Sequence, residues 1–453
     1  MTLTANPHGL GPQPARMKNA GVKAVLSTIV SKVGILAVNA ATGILTARTL
    51  KPQGRGELAA MILWPLLVAF ITTLGIPSSL IFMLRRNPDD ETQHIANGLF
   101  MTLLLGIAAG LIAAALIPFW LRREYSHNVI VNAQMFLLIA TPLLALTSTG
   151  RAVIEAKGLF SYSNHLQLLY PTLTLVDLLL LLAVHKMSPT TAGLAYMVPA
   201  LPCFLLMAYR VWPLVRQRWH IHFNACRALL NYGIRSYGVD LLGTLALQVD
   251  QVLVISLLSP SDMGRYGVVL SLSRMFNLFQ ASVVMILFPK ASGRSAEDVL
   301  PLVALSARAG TLATAVCAAI VALVGSRLLG IVYGREYAGS SRCLQLLLVE
   351  VTVSGLVFIL AQAFMALGRP GVVSILQGIG LSLSVPLMLI LVPRFGLVGA
   401  ALSLLLSTTA RLIFVMAGFK LFLKQPRPNL IPQLRDFEVL LSRLPRRFSP
   451  SRA

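Results

Sequence analysis

The chain has 453 residues, of which 56% are hydrophobic and only 12% charged, and its mean hydropathy is +0.77. Soluble domains carry roughly 25% charged residues, so this composition excludes a water-soluble globular fold and implies an all-α polytopic membrane protein. The net charge of +22 arises from 38 basic and 16 acidic residues, but no basic run is interleaved with aromatics, so cytoplasmic loops explain it better than nucleic-acid binding. Cys203, Cys226, Cys317 and Cys343 are scattered without a CxxC pair, which argues against a disulfide framework or a zinc site.

A polar segment, 1–21, precedes the first hydrophobic helix, and no cleavable signal is apparent. A helix crosses a bilayer with about 20 apolar residues. Twelve segments qualify: 22–46, 58–84, 97–117, 129–149, 166–184, 192–212, 229–257, 264–288, 300–324, 343–365, 372–391 and 396–422. With the N-terminus inside, 24 of the 38 basic residues fall on the cytoplasmic side, 11 outside, and three (Lys32, Arg274 and Arg411) within helices. The positive-inside bias therefore places both termini in the cytoplasm. The basic linker 213–228 divides the helices into two bundles, 22–212 and 229–423, followed by a basic tail, 424–453. The acidic turn 87–91 reads as a helix start, and His220 and His222 read as parts of a solvated loop. In the tail, Leu430, Leu434, Phe437, Leu441 and Leu444 recur at helical spacing among arginines. That pattern suits a helix on the inner leaflet, with a disordered tail as the alternative.

The first helix ends in Leu50-Lys-Pro52-Gln-Gly-Arg-Gly56 and the seventh in Leu258-Ser-Pro260-Ser-Asp-Met-Gly264, an L-x-P-x-x-x-G pattern repeated at an offset of 208 residues. An even number of helices per half makes the repeat parallel. The expected relation is a pseudo-two-fold axis along the membrane normal, with a cleft between the lobes.

Charges at membrane depth are costly and should face partners or a wet cavity. On helix seven, Asp240, Thr244, Gln248 and Gln251 share a face by their spacing, with Asp250 beside it. On helix one, Thr28, Lys32, Asn39, Thr42 and Thr46 form a polar stripe, and Arg48 and Arg55 stand at its outer mouth. Arg274 and Asn277 share a face of helix eight, and Ser403, Ser407 and Arg411 share one of helix twelve. Arg274 is either the partner of Asp250 or Asp240 or a contact for substrate. Asp240, Asp250, Asp177 and Glu350 are candidates for ion pairing or for proton or sodium coupling. Pro77, Pro142, Pro171 and Pro386 are candidate bends.

Together with the stretch from Ala47 to Leu58, the runs Asp250-Gln251, Gly264-Arg-Tyr266, Tyr333-Gly-Arg-Glu-Tyr337, Ala366-Leu-Gly-Arg-Pro370 and Pro393-Arg-Phe-Gly-Leu-Val-Gly-Ala-Ala401 look familiar. The chain resembles the Wzx-like lipid-linked oligosaccharide flippases, of the superfamily that also contains multidrug exporters. The resemblance implies a polyprenyl-diphosphate-linked oligosaccharide as substrate, moved to the outer leaflet of the cell inner membrane by alternating access. Membrane lipid and other polysaccharide-assembly proteins are the implied partners, and no cofactor is implied. Lys32, Asn39, Gln248, Gln251, Arg274, Asn277 and Arg411 are then the candidate head-group contacts, since phosphate favours cations and sugars favour amides. A cation-coupled multidrug exporter is the first alternative and a glycan polymerase the second, although the outer loops are short for one. The sequence contains no P-loop, metal triad or nucleophile elbow, so a transporter rather than an enzyme is expected.

Overall fold

A computed structural model describes residues 14–86, 90–216 and 221–430, with side chains described from Val30 onward except those of Ser236, Val239 and Asp240. The expected tail helix through Leu434, Phe437, Leu441 and Leu444 lies outside the described residues, as do residues 1–13, 87–89 and His220. The described residues form thirteen α-helices and one 3-10 turn: α1 (Pro14–Thr72), α2 (Ile76–Arg86), α3 (Glu91–Leu121), α4 (His127–Ala156), α5 (Phe160–Ala183), α6 (Pro189–Met197), α7 (Ala200–Val215), α8 (Phe223–Leu257), α9 (Pro260–Arg274), α10 (Asn277–Ala291), α11 (Ala296–Val332), the 3-10 turn Arg335–Ser340, α12 (Ser341–Ala366) and α13 (Pro370–Leu421).

Among the described residues, nine stretches are long and apolar enough to cross a membrane. Two are double length, 57 residues for Val30–Arg86 and 52 for Pro370–Leu421, and α8 adds a shorter apolar helix, Leu241–Leu257. Each double stretch contains a reversal. At Lys51 the backbone leaves the helix with φ 57° and ψ 179°; a residue before proline is disfavoured in the α region, the positive φ is a sterically costly turn for a lysine, and Pro52 is suited to start the next helix. Arg55 then donates to the Thr46 hydroxyl, nine residues back, where a straight helix would separate them by about 13 Å. Gly396 breaks α13 with φ 57° and ψ −133°, and Gly399 is folded back against Leu391. With both stretches divided there and α8 added, the described residues hold the expected twelve apolar crossings.

Several crossings are bent where hydropathy is continuous. The second is interrupted at Leu74 and Gly75, both at positive φ, just before Pro77. The eighth is interrupted between α9 and α10, where Phe276, Leu278 and Phe279 donate backbone bonds three residues back rather than four. Pro142, Pro171 and Pro386 lie inside helices that continue through them.

The described residues divide into two compact units, the first built from stretches within 14–45, 64–115 and 134–236 and the second from 46–63, 116–133 and 237–430. In the first unit, α3 and α4 approach closely because Gly106 lies on Pro142 and Gly110 on the Leu137 carbonyl, a small-residue pair four apart of the kind that lets membrane helices meet. A separate apolar cluster joins Leu80, Ile95, Ile154, Met207 and Leu229. In the second unit α12 packs on α9, α10, α11 and α13. Gly355 of α12 leaves a notch for the buried Gln280 side chain, which donates to the Val351 carbonyl at 2.7 Å. The outer faces carry exposed apolar side chains such as Leu104, Ile112, Ile320 and Leu323, as lipid contact requires.

The two repeated turns both belong to the second unit, and they pack on each other reciprocally. A Cβ on Gly56 would lie 1.7 Å from the Pro260 carbonyl oxygen, and one on Gly264 would lie 1.9 Å from the Pro52 carbonyl oxygen. Each glycine is therefore required by the backbone of the other turn. Gly267, one turn further along α9, has nothing within 4 Å of its Cβ position. Gly56→Ala and Gly264→Ala should each destabilise the protein by about 1–3 kcal/mol, the usual cost of overpacking. Gly267→Ala should be neutral or raise stability by up to about 1 kcal/mol through helix propensity. Thermal unfolding in detergent checks this, and equal melting temperatures for all three variants would contradict the contact.

Candidate functional site

The second unit buries a carboxylate. Asp250, on α8, has no solvent-accessible side-chain surface. Its Oδ2 accepts from the Tyr266 hydroxyl at 2.8 Å and from Arg274 Nη2 at 2.9 Å, while Oδ1 has no partner. Local sequence on α9 places both donors. Ser259 caps the helix, accepting from the Asp262 backbone N–H, and Pro260 occupies the first turn. Tyr266 and Arg274 follow two turns apart on roughly one side. Arg274 stands in the last turn of α9, where a cation also complements the helix dipole. Of the two sequence readings of Arg274, the geometry displays the ion pair.

A second polar group lies between α12 and the two halves of α13. Arg411 Nη1 donates to Gln377 Oε1 at 3.1 Å and Nη2 to Ser354 Oγ at 3.4 Å, while Nε has no partner. Glu350 accepts from the Thr408 hydroxyl at 2.8 Å. Glu350 is within electrostatic reach of both Arg274 and Arg411, but forms no ion pair with either. Two arginines are thus matched in number by two carboxylates, and the interior of this unit is less cationic than the sequence alone implies. Arg411 is held only by neutral groups and keeps hydrogen-bonding capacity to spare.

The remaining candidates are dispersed. Lys32 and Asn39 are exposed on α1, whereas Thr42 and Thr46 of the same stripe are buried. Gln248 and Gln251 are half-buried and bonded to each other at 2.6 Å along α8. Asn277 opens α10 and is half-buried, as is Asp177 on α5. The Asp240 side chain lies outside the described residues. Arg48 caps the C-terminus of α11, donating from Nε to the Val332 carbonyl at 2.8 Å and from Nη2 to that of Ile331. Tyr337 donates to the Ala47 carbonyl at 3.3 Å, and Lys51 approaches Glu336 at 3.9 Å. Beside them, burial raises the Tyr333 hydroxyl above its ordinary pKa, opposed by the charge of Arg55. Sequence reasoning missed Ser354, Gln377 and Thr408. Glu350 with Ser354, and Thr408 with Arg411, have helical same-face spacing that could have paired them.

Residues 45–342 match the model of a family described as polysaccharide biosynthesis protein. The chain belongs to that family. The matched region holds both repeated turns and the Asp250–Tyr266–Arg274 group, and ends before Glu350 and Arg411. Over 190 residues the chain is 26% identical to a probable low-salt glycan biosynthesis flippase of Haloferax volcanii, an alignment covering 41% of this chain and 40% of that relative. Its fold is similar to that of the lipid II flippase MurJ in an inward closed conformation, with a TM-score of 0.74 at 12% identity over 92% of this chain and 89% of that one. It is also similar to an inward-facing multidrug resistance MATE transporter of the MOP superfamily, with a TM-score of 0.68 at 12% identity over 88% and 99%. The resemblance read from the turn motifs thus holds at the level of family and fold.

Within this family member, Asp250 is a test of structural pairing. Asp250→Asn leaves the Arg274 guanidinium without a counter-charge, which costs about 3–5 kcal/mol for a buried pair, while removing both charges can be nearly neutral. Asp250→Asn should therefore lower folded yield, and Asp250→Asn with Arg274→Gln should restore much of it. Size-exclusion profiles and melting temperatures measure both; a single variant that folds like the parent would show that the pair is dispensable.

Proposed function

We propose that the chain is a flippase that carries a polyprenyl-diphosphate-linked oligosaccharide from the cytoplasmic to the outer leaflet of the cell inner membrane by alternating access, with both termini in the cytoplasm. The observation that supports this most strongly is the family match across 45–342, in a chain with twelve apolar crossings. The glycan-flippase relative adds support for a lipid-linked substrate. The polyprenyl tail stays in the bilayer, and only the head group needs a polar path. Arg411 suits a phosphate, because its hydrogen-bond partners are neutral, Glu350 is near but not paired with it, and its guanidinium fork matches phosphate oxygens. Lys32 and Asn39 offer a cation and an amide on α1, and Gln248, Gln251 and Asn277 offer amides to sugar hydroxyls. The moving bodies are the two sequence halves, 22–212 and 229–423. Asp177, Asp240 and Glu350 are the candidate carboxylates for proton or sodium coupling beside the paired Asp250, and other polysaccharide-assembly proteins are the candidate partners.

A second reading, a multidrug exporter, is favoured by one specific observation. The matched arginines and carboxylates leave the interior of the second unit without a cationic excess, and the fold is also that of a MATE transporter. A leaflet assay in proteoliposomes with defined lipid-linked sugars, with and without an ion gradient, separates the two. Arg411→Ala should reduce flipping about tenfold or more, as expected for losing a charge-assisted bond worth ~1.5–3 kcal/mol. Lys32→Ala should reduce it less, and Lys186→Ala, on an exposed loop, should leave it unchanged. Full flipping by an Arg411→Ala, Lys32→Ala double variant at equal expression would reject the phosphate contact. Transport of organic cations without any of lipid-linked sugar would favour the second reading.

A further inference from the structure

The end of α13 is closed by an unusual cap. The Gln425 N–H donates to the Phe419 carbonyl at 3.0 Å, a bond spanning six residues that requires the residue before Gln425 to turn left-handed. That residue is Lys424, with φ 54°. Glycine is the residue that occupies such a position without strain, so a lysine there is retained against a local conformational cost. The segment that follows does not stray into solvent. Leu423 and Leu430 pack on the apolar cluster of Leu287, Val299 and Val303, and Arg308 of α11 donates to the Asn429 carbonyl at 2.8 Å.

This pinned reversal surrounds an open cavity of about 760 Å³ lined by Lys420, Lys424, Gln425, Pro426 and Arg427. Three cations converge there, and none makes an ion pair with a described carboxylate. Immediately beside them Leu421 and Phe422 are 71% and 37% exposed, at the end of an apolar crossing. Exposed apolar side chains next to unpaired cations at the end of a span describe the boundary between acyl chains and head groups.

We propose that this cavity is a binding site for the phosphate of an anionic membrane lipid, with Lys420, Lys424 and Arg427 on the phosphate and Leu421 and Phe422 against the acyl chains. Phosphate oxygens accept charge-assisted bonds from lysine and arginine, and three exposed cations at the membrane surface add to that attraction. The phosphate has two sources, a bilayer phospholipid or the diphosphate of a polyprenyl lipid, and the exposed apolar neighbours favour either over a soluble phosphate. The site does not depend on the transport reading, since occupancy is measured without translocation.

The test is native mass spectrometry of the full chain in detergent, titrated separately with phosphatidylglycerol, polyprenyl diphosphate, phosphatidylcholine and inorganic pyrophosphate. The variant Lys420→Gln, Lys424→Gln, Arg427→Gln should bind at least one of the two anionic lipids tenfold more weakly than the parent, and phosphatidylcholine equally. The lipid that is lost identifies the source. The charge-matched control Lys51→Gln, Lys157→Gln, Arg265→Gln, whose cations are already paired with Glu336, Glu91 and Asp262, should bind like the parent. Lys424→Gly should raise the melting temperature by relieving the left-handed lysine and should still weaken anionic-lipid binding, an outcome that a purely structural lysine does not produce. The site is overturned if the triple variant binds both anionic lipids within twofold of the parent, if the control loses as much, or if pyrophosphate alone competes fully.

Discussion

The reciprocal seating of two glycines on two proline carbonyls is the constraint on which the second unit is built. In a hydrocarbon solvent, helix association gains little from the hydrophobic effect and depends on close backbone approach. Gly56 and Gly264 permit that approach where the chain reverses between its first two crossings and between its seventh and eighth. Once these turns meet, the neighbouring bonds become available. Arg48 reaches the last carbonyls of α11, and the Tyr337 hydroxyl reaches the backbone at Ala47, so the first hairpin tip is tied to α11 and to the 3-10 turn before α12. Arg48 thus bonds to backbone of α11, while Arg55 bonds to the Thr46 hydroxyl within its own hairpin.

The same unit shows how charge is carried through an apolar interior. Asp250 is wholly buried and tolerable because Tyr266 and Arg274 both bond to one of its oxygens. Glu350 is satisfied by a hydroxyl and Arg411 by an amide and a hydroxyl. These are different chemical situations. An ion pair has spent its interaction on its partner, whereas a guanidinium held by neutral groups retains most of its attraction for an incoming anion. That difference, rather than the number of arginines, is what distinguishes Arg411 from Arg274.

The interrupted crossings connect packing to movement. The joint between α9 and α10 follows Arg274 directly, and its backbone bonds span three residues rather than four. A short tightened stretch inside a crossing allows the segments on either side to reorient without breaking the remainder of the ladder. The charged group and the joint are therefore adjacent in the chain, and α10 beyond the joint is anchored by Gln280 in the Gly355 notch of α12.

Hydropathy, turn chemistry and charge bias are local properties, and they determined the all-helical membrane class, the twelve crossings and the 208-residue repeat directly from the residues. Pro52, Gly56, Pro260 and Gly264 announced two turns because proline and glycine restrict or free the backbone wherever they stand. Only the tertiary structure decided which groups meet. A buried charge advertises that it needs a partner without saying which one, and both the pairing of Asp250 with Arg274 and the placement of Arg411 beside Gln377 and Ser354 depend on how each helix is rotated in its packing. The break at Leu74–Gly75 lies next to Pro77, a bend that the sequence proposes, whereas the one at Met275–Phe276 was illegible, since an apolar run looks the same to hydropathy whether its helix is straight or bent. The cap that Arg48 forms on α11 joins residues 284 apart, and a contact of that range exists only after the helices between them have packed.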